Sequence, residues 1–184
     1  MNFITTRIKH PAAPARKKRR GLTMFETALA TVVVGTAITA IVQLIYAVTQ
    51  ENFYAQKTTT ALTLANDMRE LIDGLPLADP AVGVHLGPTN GLTQPSQFND
   101  VEDFANFNAN PPIDAHCQAI AALSNWKQTV TITHILSGNY NASDPVANDA
   151  SVMMDRIQVL ISYNPPGTVD WYPITTVEWL KAKI

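Results

Sequence analysis

The sequence predicts an α+β fold in which one long N-terminal helix packs on a small antiparallel sheet. Three observations point to this fold: an uncharged apolar run near the N-terminus, apolar residues at three- and four-residue steps directly after it, and alternating segments near the C-terminus. With 184 residues, of which 46% are apolar and 15% charged, the chain has room for one modest core. This composition excludes a disordered chain and a multi-span membrane protein.

The first 21 residues form a basic segment. They carry seven basic side chains and no acid, whereas the rest of the chain has 6 basic and 15 acidic groups, a net charge of −9. Such an arm is typical of a nucleic-acid tail or of a targeting segment. Because the run Arg16–Arg20 precedes an apolar stretch and lacks interleaved aromatic residues, we interpret it as a topology signal and expect no nucleic-acid partner.

The apolar run predicts one membrane-spanning helix. Thr27–Gln50 comprises 24 uncharged residues, which as a helix would be about 36 Å long, against a hydrocarbon core of roughly 30 Å. A secretory signal peptide has a shorter apolar region that ends in a small-residue cleavage site. The basic flank places the N-terminus in the cytoplasm, so residues 22–50 are predicted to span the membrane once and the body to lie on the far side.

The helix is predicted to continue through residues 51–75 as an amphipathic half. Its apolar stripe is formed by Ala61, Leu62, Leu64, Ala65, Met68, Leu71, Ile72 and Leu75. We expect the helix to end at Asp73, because Gly74 and Pro76 follow. The charged residues off the stripe, including Asp67 and Glu70, are predicted to be solvated.

Residues 76–184 are predicted to form a loop region followed by the sheet. Residues 74–115 show no sustained period, which indicates a long loop region with room for one short element. Strands are predicted at 127–135, at 152–163 and through Trp171, Val177 and Trp179, with a polar loop at 137–151. An antiparallel sheet of three or four strands would cover the amphipathic half of the helix.

Glu26 is an acid at the start of the predicted span. An intramembrane acid is a functional candidate by default. An acid in the headgroup region at a helix N-terminus is also favoured by the helix macrodipole. Position alone leaves both interpretations open.

The segment Lys17-Lys18-Arg19-Arg20-Gly21-Leu22-Thr23-Met24-Phe25-Glu26 resembles the prepilin signature of type IV pilins and type II secretion pseudopilins. The resemblance implies a pilin-like fold, cleavage after Gly21 by a prepilin peptidase, which would make residues 1–21 a leader peptide, and methylation of the new amine at Leu22. It also implies that Glu26 pairs with the N-terminal amine of a neighbouring subunit during assembly. The family's frequent helix-breaking proline is Gln43 here, so local melting of the helix on assembly is not indicated.

A second set of motifs is similar to minor pilins of the type represented by the D-type minor pilin of the mannose-sensitive haemagglutinin pilus. The motifs are Phe98–Phe104, Pro111–Asp114, Leu123–Trp126 and Asp155–Val159. Where a glycine is expected after the first motif, this chain has Ala105-Asn106, and the glycine expected after Asp114 is absent.

The function implied is that of a non-enzymatic structural subunit, a minor pilin or pseudopilin, without a cofactor. Its expected partners are a prepilin peptidase, an assembly platform, other pilin-like subunits and the bacterial inner membrane. The alternative is an uncleaved single-span anchor that carries an extracytoplasmic binding domain, for which Gly21 and Glu26 are incidental. Pilus and secretion pseudopilus share the N-terminal signature, so the sequence does not separate them.

Two sharper kinds of site have weaker support. Asp100, Glu102 and Asp103 are candidate oxygen ligands for calcium, but their spacing fits no known calcium loop, and acids in a solvated turn are the commoner explanation. His116 and Cys117 would suit an exported hydrolase only if a base and an orienting group were brought to them. His134, on a predicted strand, is expected to be packed or on the surface rather than a ligand.

Overall fold

A computed structural model describes residues 23–79, 81, 83, 88, 91–135 and 154–182. The chain divides into two compact units, one that reaches to Thr49 and one that begins at Gln50. The predicted cleavage site at Gly21 and Leu22 and the predicted loop at 137–151 lie outside the described residues.

One helix, α1, covers Met24–Asp73. The predicted end at Asp73 is confirmed, and the helix is uninterrupted at Gln43. Gly74 follows directly, and the Leu75 amide donates a hydrogen bond to the Ile72 carbonyl at 3.2 Å. The chain thus leaves the helix where glycine and proline make continuation unfavourable.

The C-terminal half of α1 buries a narrow stripe in the second unit. Its fully buried members are Ala61, Leu64, Ala65, Met68 and Ile72. Leu62, which the sequence pattern placed in the stripe, is 43% exposed because it lies one position away from the buried row. Spacings of three and four residues bring the other positions to one face, as the pattern predicted.

The sheet has four antiparallel strands: β1 (Asn108–Ala109), β2 (Trp126–His134), β3 (Met154–Tyr163) and β4 (Tyr172–Ala182). Their order in space is β1-β2-β3-β4, with a register shift at Ile161/Ser162 between β3 and β4. Together with α1 they confirm the α+β prediction.

The core lies between the stripe of α1 and one face of β2 and β3. Val130 on β2 and Ile157, Val159 and Ile161 on β3 are fully buried, as the period-two pattern predicted. Edge-to-face contacts join Phe98, Phe104 and Phe107 next to this core, with Phe98 and Phe104 centroids 4.7 Å apart. These three rings, which belong to the region before β2, cover one side of the core.

The region between α1 and β2 is built from turns in its described parts. It contains 3₁₀ turns at Pro95–Gln97, Glu102–Phe104 and Ala121–Leu123, besides the two-residue β1. Asn106 has a φ of 60°, in the left-handed region. It stands beside the position where minor pilins are expected to have glycine, and asparagine is one of the few other residues that accept this conformation.

Candidate functional site

The N-terminal half of α1 is an exposed apolar surface. Every residue from Thr23 to Thr49 is exposed, and Glu26 is the one charged residue among them. Within the described residues, α1 is the one helix long and apolar enough to cross a membrane. Its exposed large side chains include Phe25, Leu29, Val32, Val33, Val34, Ile38, Ile41, Val42, Leu44, Ile45 and Tyr46.

The threonines of this half need no partner outside the helix. Each of the five hydroxyls donates a hydrogen bond to a backbone carbonyl three or four residues earlier, at 2.8–3.0 Å. A hydroxyl buried in hydrocarbon without a hydrogen bond is costly, so internal bonding lowers the free energy of placing threonine there. The donors are Thr27, Thr31, Thr36, Thr39 and Thr49.

Glu26 forms a reciprocal capping arrangement with Thr23. Glu26 Oε2 accepts hydrogen bonds from the Thr23 backbone amide at 2.8 Å and from the Thr23 hydroxyl at 3.1 Å, and the Glu26 amide donates to Thr23 Oγ1 at 3.3 Å. This is the capping-box pattern, which satisfies orphan amides at a helix N-terminus. Sequence reasoning anticipated a helix-terminal acid here but missed the partner, although Thr-x-x-Glu is a recognisable spacing.

The three acids proposed from sequence as calcium ligands are buried rather than solvated. Asp100 and Glu102 are 0% exposed and Asp103 is 1% exposed, because Val101 and Phe104 of the same turn are core residues. Asp100 Oδ1 accepts the Asp103 amide at 2.9 Å, and Asp103 Oδ2 accepts the Asn99 amide at 3.0 Å. Two of the three carboxylates therefore shape the local backbone.

Glu102 instead meets side chains from the sheet. His134 ends β2 and pairs in register with Asp155 on β3, with His134 Nδ1 2.5 Å from Asp155 Oδ1. His134 Nε2 lies 3.7 Å from Glu102 Oε1. His134 shares the inward face of Val130, and Asp155 that of Ile157, so alternation placed both inside. Sequence reasoning missed Asp155 as a site residue because strand alternation alone does not give the β2–β3 register.

The segment around Cys117 is a tight turn. Asp114 Oδ1 accepts hydrogen bonds from the amides of Gln118 at 2.9 Å and His116 at 2.8 Å, and these hydrogen bonds hold the pKa of Asp114 below its usual value. Burial, followed by the negative charge of Asp114, raises the pKa of the Cys117 thiol. A raised thiol pKa opposes nucleophilic chemistry at neutral pH.

Comparisons with protein-family models, with curated proteins and with solved structures find no match to this chain.

Proposed function

We propose that this chain is a minor pilin or pseudopilin, a structural subunit of a type IV pilus or a type II secretion pseudopilus. The observation that carries the proposal is the contrast between the two halves of α1. Residues 23–49 are exposed and apolar, whereas residues 61–72 contribute a buried stripe to a folded unit. A helix with one half unused by its own fold is suited first to a membrane and then to packing against other helices.

The N-terminal signature supports the processing step of this proposal. The basic run would keep the leader in the cytoplasm, and the folded unit would be exported. Gly21 would offer a peptidase the least hindered backbone before the cut. Removal of residues 1–21 would discard seven basic side chains and leave a subunit with a net charge of −9.

Glu26 would change partner on assembly. In the free chain it caps its own helix through Thr23. In a helix bundle, an unpaired carboxylate and an unpaired amine are both expensive, and together they form a buried ion pair that fixes register. The amine of Leu22 on a neighbouring subunit, freed by cleavage, would supply the opposite charge.

Mass spectrometry of the chain isolated from cells with an active prepilin peptidase tests the processing. We expect an N-terminus at Leu22 carrying one added methyl group. Gly21→Val should leave the full-length chain, whereas the matched change Gly35→Ala should not affect cleavage, since a Cβ at Gly35 would meet no atom within 4 Å. An intact residue 1–21 segment on the wild-type chain would contradict the proposal.

Filament incorporation tests the role of Glu26. Thr23→Ala removes the two hydrogen bonds made by the Thr23 hydroxyl, whereas Glu26→Ala removes the carboxylate and both hydrogen bonds that it accepts. We expect Glu26→Ala to be inserted in the membrane and lost from sheared filaments, and Thr23→Ala to be retained in them. Equal loss in both variants would show that capping, not pairing between subunits, is what matters.

The capping arrangement itself favours the second candidate, a single-span anchor that carries an extracytoplasmic binding domain. In that case Glu26 has a complete structural role within its own helix, and Gly21 has none. An uncleaved chain that never co-purifies with pilin-like subunits would identify this alternative.

A further inference from the structure

A buried cluster of three potential metal ligands lies in the second unit. Glu102, His134 and Asp155 come from the 102–104 turn, the end of β2 and the start of β3. Their ligand atoms all lie within 4.8 Å of one another, and each side chain is at most 1% exposed. We propose that this triad binds one divalent first-row transition-metal ion, of which Zn²⁺ is the representative, as a structural site.

The donor set selects the class of metal. One imidazole nitrogen with two carboxylate oxygens suits zinc and its first-row neighbours, whereas calcium takes six to eight oxygen ligands. Ligand atoms about 2.0–2.1 Å from a tetrahedral zinc lie about 3.3 Å apart. With one imidazole nitrogen as donor, the three ligand atoms lie within 4.8 Å of one another and would have to draw closer to reach this separation. His134 faces Asp155 through Nδ1 and Glu102 through Nε2, so metal binding requires the imidazole to turn until one nitrogen faces both carboxylates.

A second observation points to a cation at Asp155. This side chain is 0% exposed, and while Oδ1 contacts His134, Oδ2 is buried without a hydrogen-bond partner among the described residues. A buried carboxylate oxygen left in this way carries an uncompensated desolvation cost. Coordination to a metal ion is a direct way to satisfy it.

The charges of the triad agree with a divalent ion. Counted over these three side chains, two carboxylates and a neutral imidazole sum to −2, which one M²⁺ would neutralise. Arg156, the next residue after Asp155, lies on the other face of β3 and pairs with Glu178 at 3.1 Å.

A metal here would join three parts of the fold. It would tie the last register pair of β2 and β3, His134 with Asp155, to the turn that carries Phe104 into the core. Since such a site does not exist in the unfolded chain, metal binding would add to folding stability.

Metal titration of the untagged full-length protein in detergent tests the proposal. After dialysis against a chelator, we expect one equivalent of Co²⁺ to give the visible absorption of a four-coordinate site and Zn²⁺ to displace it. Zn²⁺ should raise the thermal unfolding midpoint, and an equal concentration of Ca²⁺ should not. X-ray absorption of the zinc-loaded wild type should show only nitrogen and oxygen neighbours; the absence of one-equivalent binding, or stabilisation by Ca²⁺ alone, would overturn the assignment.

Substitutions locate the site. Glu102→Gln and Asp155→Asn should each weaken Co²⁺ binding by about tenfold or more, and His134→Asn should abolish the absorption band. His116→Asn is the matched control, because His116 is exposed and outside the triad. Circular dichroism establishes that each variant is folded. Undiminished binding by folded Glu102→Gln and His134→Asn, or loss of binding in His116→Asn, would place the metal elsewhere.

Discussion

The side-chain amide of Gln128 joins the sheet to the long helix, where Nε2 donates a hydrogen bond to the Leu64 carbonyl at 3.2 Å. Nε2 also donates to the Ile113 carbonyl at 3.1 Å, and Oε1 accepts the Ile113 amide at 2.8 Å. Gln128 is 0% exposed, so none of these groups has water as a ready alternative. One polar side chain thus fixes the register of α1, β2 and the loop before β2.

Replacement of Gln128 by leucine should therefore destabilise the second unit. The Ile113 amide would be left buried without its partner, and we expect a loss of about 1–3 kcal/mol in the free energy of unfolding. Urea unfolding followed by tryptophan fluorescence, to which the buried Trp126 contributes, gives the measurement. Gln158→Leu, on the outward face of β3, should change stability by about 0.5 kcal/mol or less. Equal losses of stability in Gln128→Leu and Gln158→Leu would mean that the buried hydrogen bonds of Gln128 add no more to the free energy of unfolding than those of an outward-facing glutamine.

Much of this fold follows from sequence, because its elements obey simple periods. The end of α1 at Asp73 and the inward face of β3 were both predictable from spacing and from helix-stop residues. The burial of Glu102 and its clustering with His134 and Asp155 could not be predicted in this way. They depend on strand register and on how the region before β2 folds back over the core, which no local pattern encodes.

The burial of Asp67 also differs from the prediction made from sequence, and this difference leads to a pH-dependent prediction. The residue is half-buried rather than solvated, and desolvation, then the charges of Asp114 and Glu70, raise its pKa. An acid with a raised folded-state pKa favours folding when protonated, and that contribution is lost as the pH rises through the folded-state value.

We therefore expect Asp67→Asn to be more stable than wild type at pH 7, with the difference disappearing below the ordinary aspartate pKa near 4. Aspartate and asparagine have similar helix propensities, so the comparison isolates the charge. Urea midpoints measured from pH 3 to pH 7 give the profile. Glu51→Gln, an exposed change on the same helix whose charge is not among those that raise the Asp67 pKa, is the control. A difference that is constant with pH would exclude a charge effect at Asp67.

Asn106 tests whether backbone conformation governs the turn after the acidic motif. Its φ of 60° costs an ordinary L-residue about 1–2 kcal/mol, which glycine avoids and asparagine partly avoids. Because Asn106 is exposed, little packing is lost on substitution. We expect Asn106→Ala to lower the free energy of unfolding by about 1 kcal/mol and Asn106→Gly to change it by about 0.5 kcal/mol or less. Equal losses in the two variants would show that the asparagine side chain, rather than its backbone conformation, is required.

Cys117 should react slowly with alkylating reagents, and Asp114 should be part of the reason. Burial and then the Asp114 charge raise the thiol pKa, and the thiolate is the reactive form. Asp114→Asn removes the charge, so the pH profile of iodoacetamide alkylation should shift to lower pH and the rate at pH 7 should increase. His116→Asn, the neighbouring exposed change, should leave the profile unchanged if the histidine does not act as a base towards the thiol. A rate that falls in His116→Asn would instead point to a Cys–His pair and would reopen the possibility of nucleophilic chemistry at this turn.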